Sequence, residues 1–211
     1  MASNLVPLAT FLSRRFGSVR AAWPSLHRRW LSQRLDRLTA HLMQMKRETE
    51  MDDLKVTAPA GETTATITRS FKAPQALVWK AMTEREHIAR WWGLKSAKLK
   101  ILAHDFRPGG EWRFEQEYGG DTPNMTFYGE YRDITPISKY VSTFGVDGMY
   151  DHNSLVETHT LEERDGVTYY TAVSQFPDVD SRNGMLSSGM EVGARESMNE
   201  LAALLAELQQ K

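Results

Sequence analysis

At 211 residues, with 41% hydrophobic and 25% charged content, the chain has the make-up of a soluble globular protein with room for one ordinary domain and an appendage. It holds no Cys, which excludes disulfides, zinc–thiolate sites and a cysteine nucleophile, and no apolar run approaches the ~20 residues that span a bilayer. The formal net charge of −1 hides an asymmetry: residues 1–50 hold nine Lys/Arg against three Asp/Glu, a net of +6, so the remainder carries −7.

Residues 1–50 read as a basic N-terminal extension. Arg14, Arg15, Arg20, Arg28, Arg29 and Arg34 occur with no acid among them, interspersed with Ser and apolar residues, a composition similar to a mitochondrial transit peptide. The apolar stretch Leu5 to Leu12 precedes these charges and carries Pro7, which argues against a secretory signal. Pro24 can open a helix over about residues 25–47. Within it Leu31, Leu35, Leu38, Leu42 and Met45 follow the 4-3-4-3 spacing of a coiled-coil seam, a route to dimerisation through residues 31–45. The stretch from His27 to Leu42 resembles the C-terminal dimerisation helix of ArsR-type repressors, but no winged-helix reader precedes it and nucleic-acid binding is not expected. The preferred reading is an extension translated from an upstream start, with Met45 or Met51 beginning the domain. The expected compartment is the cytoplasm, or the mitochondrion if the source is eukaryotic and the extension is a transit peptide. Residues 51–63, with Pro59 and Gly61 among polar residues, read as linker.

The domain is expected over residues 64–210. Thr64 to Phe71 alternates, with Ala65, Ile67 and Phe71 on one side and Arg69 as the exception. Pro74 opens a short helix with the stripe Leu77, Val78, Ala81 and Met82, and a second short helix runs from about Glu84 to Trp91 until Gly93 stops it. Strands follow. Leu99 to Phe106 turns at Pro108-Gly109-Gly110. Glu111 to Tyr118 alternates cleanly, with Trp112, Phe114 and Tyr118 opposite Glu111, Arg113, Glu115 and Glu117, as in an antiparallel sheet covered on one face. Gly119-Gly120-Asp121 turns into Met125 to Ile134, which puts Met125, Phe127, Gly129 and Tyr131 on one side and ends at Thr135-Pro136. Tyr140, Phe144 and Val146 alternate in the next strand. Leu155 to Leu161 and Val167 to Phe176 form a hairpin around Arg164-Asp165-Gly166. Pro177 to Asn183 reads as a polar loop leading into a long amphipathic helix marked by Met190, Ala194, Met198, Leu201, Leu205 and Leu208. Gly189 and Gly193 sit one turn apart there, each costing about 1 kcal/mol against Ala inside a helix. Close backbone packing or room for a ligand would offset that cost.

These residues carry a resemblance. The segments Ile67 to Thr83, His87 to Gly93, Asp105 to Trp112, Gly129 to Pro136 and Gly189 to Leu205, in this order and spacing, are similar to the SRPBCC superfamily of START/Bet v 1-like domains, and within it to the activator of Hsp90 ATPase homologue group. The resemblance spans nearly the whole domain. It implies an α+β helix-grip fold: a seven-stranded antiparallel sheet wrapped around the long C-terminal helix, two short helices after the first strand, and an apolar cavity between sheet and helix. It names no ligand.

Chemistry-bearing residues are few. Glu157 and His159 lie two apart, so a strand puts both on one face with Leu155 and Leu161. Pointing inward they can fix a polar ligand group or do acid–base work. Pointing outward, or satisfying each other, they are structural, and that is the reading preferred here. The family pattern usually has an apolar residue where His159 stands. Asp105 is expected to meet Arg107 or backbone groups near the turn, His152 to belong to a loop, and Trp91-Trp92 to pack under the sheet end, the preferred role, or to line the cavity mouth. Gly109-Gly110 and Gly119-Gly120 are turns, not phosphate cradles. No His/Asp/Glu spacing matches a metal site, and neither metal nor cofactor is expected. Ligand contacts are expected from Trp112, Phe114, Phe127, Tyr131, Phe144, His159 and Met190. Three functions compete: binding a small apolar molecule, which is preferred; regulating an Hsp90-type chaperone partner through the surface, as the resemblance implies; and a cyclase- or hydrolase-like enzyme using Glu157 and His159.

Overall fold

The computed structural model describes residues 53–210. The expectations for the basic extension, its helix and its dimerisation seam lie outside the described residues. The described elements, in chain order, are β1 (Lys55–Thr57), β2 (Thr64–Phe71), α1 (Gln75–Thr83), α2 (Arg85–Trp91), β3 (Lys98–His104), β4 (Glu111–Glu117), β5 (Met125–Thr135), β6 (Lys139–Val146), β7 (Tyr150–Arg164), β8 (Val167–Gln175), α3 (Val179–Ser187) and α4 (Met190–Leu208).

The strands form one antiparallel sheet in the order β1-β2-β8-β7-β6-β5-β4-β3. Short turns between alternating strands build the meander from β3 to β8. The chain leaves the sheet after β2 and returns at the far edge as β3, and α1 and α2 make that crossing. The β7–β8 turn shows the local chemistry well. Arg164 pairs with Val167, and Asp165 and Gly166 both take left-handed φ, 53° and 74°. That is the two-residue turn whose twist matches paired strands, and only Gly and Asn/Asp adopt it readily.

Three expectations need correction. The sheet has eight described strands, not seven, because β1 falls in the stretch read as linker. Leu54 is buried there and Val56 packs beside it opposite Ile67. Three residues are too few to show a period. The stretch read as a polar lead-in loop is helix α3. Asp178 caps it, its carboxylate accepting from the Ser181 amide at 2.6 Å, which satisfies one of the free N–H groups of the first turn. The buried guanidinium of Arg182 ties α3 down, donating to the Pro59 carbonyl at 2.5 Å and to Asn183. The backbone of Asp151 and His152 is strand, because β7 begins at Tyr150.

Gly189 is not inside α4. It separates α3 from α4 with φ of 91°, a conformation in which glycine carries no steric penalty. α4 then lies against α1, α2 and α3. Its C-terminal half supplies Met198, Leu201, Leu204 and Leu205 to a cluster that includes Phe71, Val78, Leu161, Tyr170 and Ala172. Ser197 anchors it to the α2–β3 loop, its hydroxyl accepting from the Gly93 amide at 2.9 Å and donating to the Gly93 carbonyl at 3.0 Å. Among the described residues no helix is long and apolar enough to cross a membrane.

Candidate functional site

The apolar interior is divided. One cluster joins the C-terminal half of α4 to β2, β7 and β8. A second, smaller one joins Ala65, Leu155, Phe176 and Met185, with Phe144 and Met190 beside it. A third packs Ile88, Trp112, Phe114 and Tyr131 under β4 and β5. Along β7, Leu155 belongs to the second cluster and Leu161 to the first. Glu157 and His159 lie between them, on the same face of the strand. The register therefore points both side chains inward, not outward. Tyr140 and Phe144 of β6 connect the third cluster to the other two.

Pairing places Glu157 between Ser142 and Ser174, and His159 between Tyr140 and Ala172. The Ser174 hydroxyl donates to Glu157 Oε1 at 2.8 Å. His159 Nδ1 and the Tyr170 hydroxyl are 2.9 Å apart. The Tyr140 ring stacks on the imidazole at 4.3 Å between centroids. Glu157 Oε2 and His159 Nε2 face each other at 3.7 Å, too far for a direct hydrogen bond. Both side chains are partly buried, with 21% of the Glu157 side chain and 11% of the His159 side chain accessible.

Burial sets the protonation states. It raises the Glu157 carboxyl, and the Ser174 hydrogen bond opposes this. It lowers the His159 imidazole to about 3. It raises the Tyr170 phenol, and the nearby Glu157 carboxylate adds to the effect. Near neutral pH His159 is therefore uncharged and Tyr170 keeps its proton, so the Glu157–His159 contact is not an ion pair. One imidazole nitrogen carries a proton and the other accepts.

The expected ligand contacts fall into two groups. Trp112, Phe114 and Tyr131 keep 6% or less of their surface accessible. Their faces are used against other rings: Trp112 lies 5.1 Å from Phe114, Trp92 5.2 Å from Phe114, and Phe106 4.8 Å from Tyr131. Phe127, Phe144 and Met190 keep partial accessibility, as does His159 itself. Tyr170, Ser174 and Tyr140 were missed as partners. The Asp165-Gly166 turn would have found the β8 ones, because pairing counted back from Arg164 and Val167 sets Glu157 opposite Ser174. Tyr170 then lies diagonal to His159.

Other polar groups are structural. Arg69, the exception in β2, is buried beside Leu54, with Asp53 at 3.5 Å, and burial lowers its pKa while Asp53 opposes this. Asp105 meets Arg107 at 2.8 Å, as expected. His104 stacks near Phe114, and burial, with Arg85, lowers its pKa. Trp91 packs in the first cluster and donates to the Ala81 carbonyl. Glu84, Glu86 and His87 bring ligand atoms within 4.8 Å of one another at the start of α2. A shallow hollow of about 540 Å³ between Lys95, Lys98, Tyr118 and Asn124 lies at the β3–β4 edge.

The fold and the order of these elements have relatives. A protein of Mycobacterium smegmatis, Ms6760, is 25% identical, with a TM-score of 0.65 over 73% of this chain and 98% of that one. Two others bear on the fold alone. A Rhodobacter sphaeroides protein is 18% identical with a TM-score of 0.65, covering 74% of this chain and 99% of that one. An Arthrobacter aurescens protein is 23% identical with a TM-score of 0.63, covering 72% and 91%. No curated protein matches the sequence. The model of the family "Activator of Hsp90 ATPase homolog 1-like protein" matches residues 72–206, from the end of β2 to the last turns of α4. With that match over most of its length and the helix-grip sheet to go with it, the chain belongs to this family of the SRPBCC superfamily.

Proposed function

We propose that the domain binds a small, largely apolar molecule between the inner face of the sheet and the N-terminal half of α4, with Glu157 and His159 at the polar end of the site. The observation that carries this reading is the accessible polar pair enclosed between three apolar clusters. Leaving polar groups enclosed without full hydrogen bonding costs stability, and a ligand that completes the bonding would recover it. Sites of this kind are mostly apolar with a few convergent polar groups. Binding is preferred to acid–base catalysis because an imidazole held at about 3 is a weak base near neutral pH.

The test is titration with an apolar fluorescent probe. Micromolar affinity, about −8 kcal/mol, is expected. Met190→Trp should weaken the probe and leave the fold intact, because Met190 borders the space without being fully buried. If no probe binds and Met190→Trp unfolds the protein, the interior is packed solid. The surface role with a chaperone partner then becomes the better reading.

A further inference from the structure

The polar end of the site constrains the chemistry of what it takes. Two atoms face each other across the space, Glu157 Oε2 and His159 Nε2, at 3.7 Å. The other two polar atoms of the pair are already engaged: Oε1 by the Ser174 hydroxyl at 2.8 Å and Nδ1 by the Tyr170 hydroxyl at 2.9 Å. A separation of 3.7 Å leaves each facing atom short of a full hydrogen bond to the other. A third atom to one side of this gap, about 2.8 Å from each, can bond both.

Two arrangements put one proton between the facing atoms, and they avoid setting two acceptors or two donors against each other at 3.7 Å. With Tyr170 donating to Nδ1, the imidazole proton sits on Nε2, which donates, and the Glu157 carboxylate accepts. With the carboxyl protonated and the imidazole proton on Nδ1, Oε2 can donate and Nε2 accepts. Either way the space presents one donor and one acceptor. The complement is a group that both donates and accepts through a single atom, which is a hydroxyl. A carboxylate offers only acceptors and would meet the Glu157 carboxyl. An ammonium offers only donors and would leave Nε2–H facing a cation. An ether accepts only and leaves Oε2 without a bond in the first arrangement. Around this seat the walls are Tyr140, stacked on the imidazole, with Phe144 and Leu155 beyond it. They suit a flat apolar body.

We propose that the ligand is an apolar alcohol or phenol whose hydroxyl bridges Glu157 Oε2 and His159 Nε2 from one side, donating to one and accepting from the other. This rests on the binding reading above and narrows it to a ligand class.

The test compares probes of one body and different heads on the full chain: naphthol, methoxynaphthalene, naphthoate and naphthylmethylammonium, titrated by fluorescence and calorimetry at neutral pH. Naphthol should bind about tenfold more tightly than methoxynaphthalene, the worth of one good hydrogen bond, and both charged probes should bind more weakly than methoxynaphthalene. Glu157→Leu and His159→Phe should each abolish the naphthol preference while methoxynaphthalene still binds, and Glu157→Gln, which keeps a donor and an acceptor, should restore part of it. If naphthol and methoxynaphthalene bind equally, the hydroxyl seat is wrong although the apolar site stands. A naphthol preference that survives both substitutions places the hydroxyl elsewhere and overturns the assignment. If the ammonium binds best, the head group is a cation and the alcohol class is wrong. Binding of no probe removes the site itself and this inference with it.

Discussion

Under β4 and β5 the inner face of the sheet is closed. Trp112, Phe114 and Tyr131 keep at most 6% of their surface accessible and spend it on Trp92, Phe106 and one another. Under β7 the same face carries polar side chains that stay partly accessible. Between Leu155 and Leu161, both 4% accessible, stand a carboxyl and an imidazole that keep 21% and 11% of their side-chain surface. Both regions follow the period of two that a strand imposes. They differ in what packs over them. Trp92, just after α2, packs on Phe114 of β4 and Phe127 of β5, whereas Met190 at the start of α4 packs beside the cluster that holds Leu155 of β7. Closed packing stabilises the domain, and the partly accessible polar pair is where the proposed ligand would be met.

The largest expected effect breaks the closed side. Trp112→Ala should cost about 3–5 kcal/mol, as large-to-small changes do in well-packed cores, measured by denaturant unfolding. Phe144→Leu, at a partly accessible ring beside the Leu155 cluster, should cost much less. A similar loss at both positions would erase the distinction between the two regions.

The next effect sharpens the β7 side through pH. The folded-state pKa of His159 is depressed from 6.5 to about 3. Its contribution to stability is therefore complete above about 6.5 and is lost as pH falls toward 3, with a slope of at most about 1.4 kcal/mol per pH unit. Unfolding midpoints measured against pH should show this loss, and His159→Phe should flatten it. Equal slopes in the two proteins would mean that His159 is not desolvated.

Glu157 has the opposite sign. Its folded-state pKa is raised, so its contribution is present below the ordinary glutamate value of about 4.3 and is lost as pH rises through the raised one. Glu157→Gln keeps an acceptor for Ser174 and removes the charge. It should stabilise the protein near neutral pH by about 1 kcal/mol and show no gain at low pH. A loss at neutral pH instead would mean that the carboxylate is better solvated than its surroundings suggest.

The smallest effect separates two glycines. A Cβ at Gly129 would lie 2.0 Å from the Thr143 carbonyl oxygen, whereas one at Gly193 would meet nothing nearer than Leu94 Cδ2 at 3.8 Å. Close packing explains the first glycine and not the second. Gly193→Ala should stabilise α4 by about 0.5–1 kcal/mol, while Gly129→Ala should destabilise. If Gly193→Ala also weakens an apolar probe, the space beside that glycine belongs to the site.

Much of the fold was legible along the chain. The alternation from Glu111 to Glu117, the Asp165-Gly166 turn and the stripe from Met198 to Leu205 each depend on residues a few positions apart, and each appears where it was expected. β1 and α3 were not legible, because three residues show no period and α3 has almost no apolar stripe. Its marks are a capping Asp178 and an Arg182 whose partner, the Pro59 carbonyl, lies far away in sequence. The candidate site divides in the same way. That Glu157 and His159 share a face follows from their spacing of two. That the face is the inner one, that Ser174 and Tyr170 engage their far atoms, and that Trp112 packs while Phe144 stays partly accessible depend on pairing between strands and on where α4 lies. Period and turn chemistry act through covalent neighbours, whereas enclosure is a property of residues that meet only when the sheet and helix close on each other.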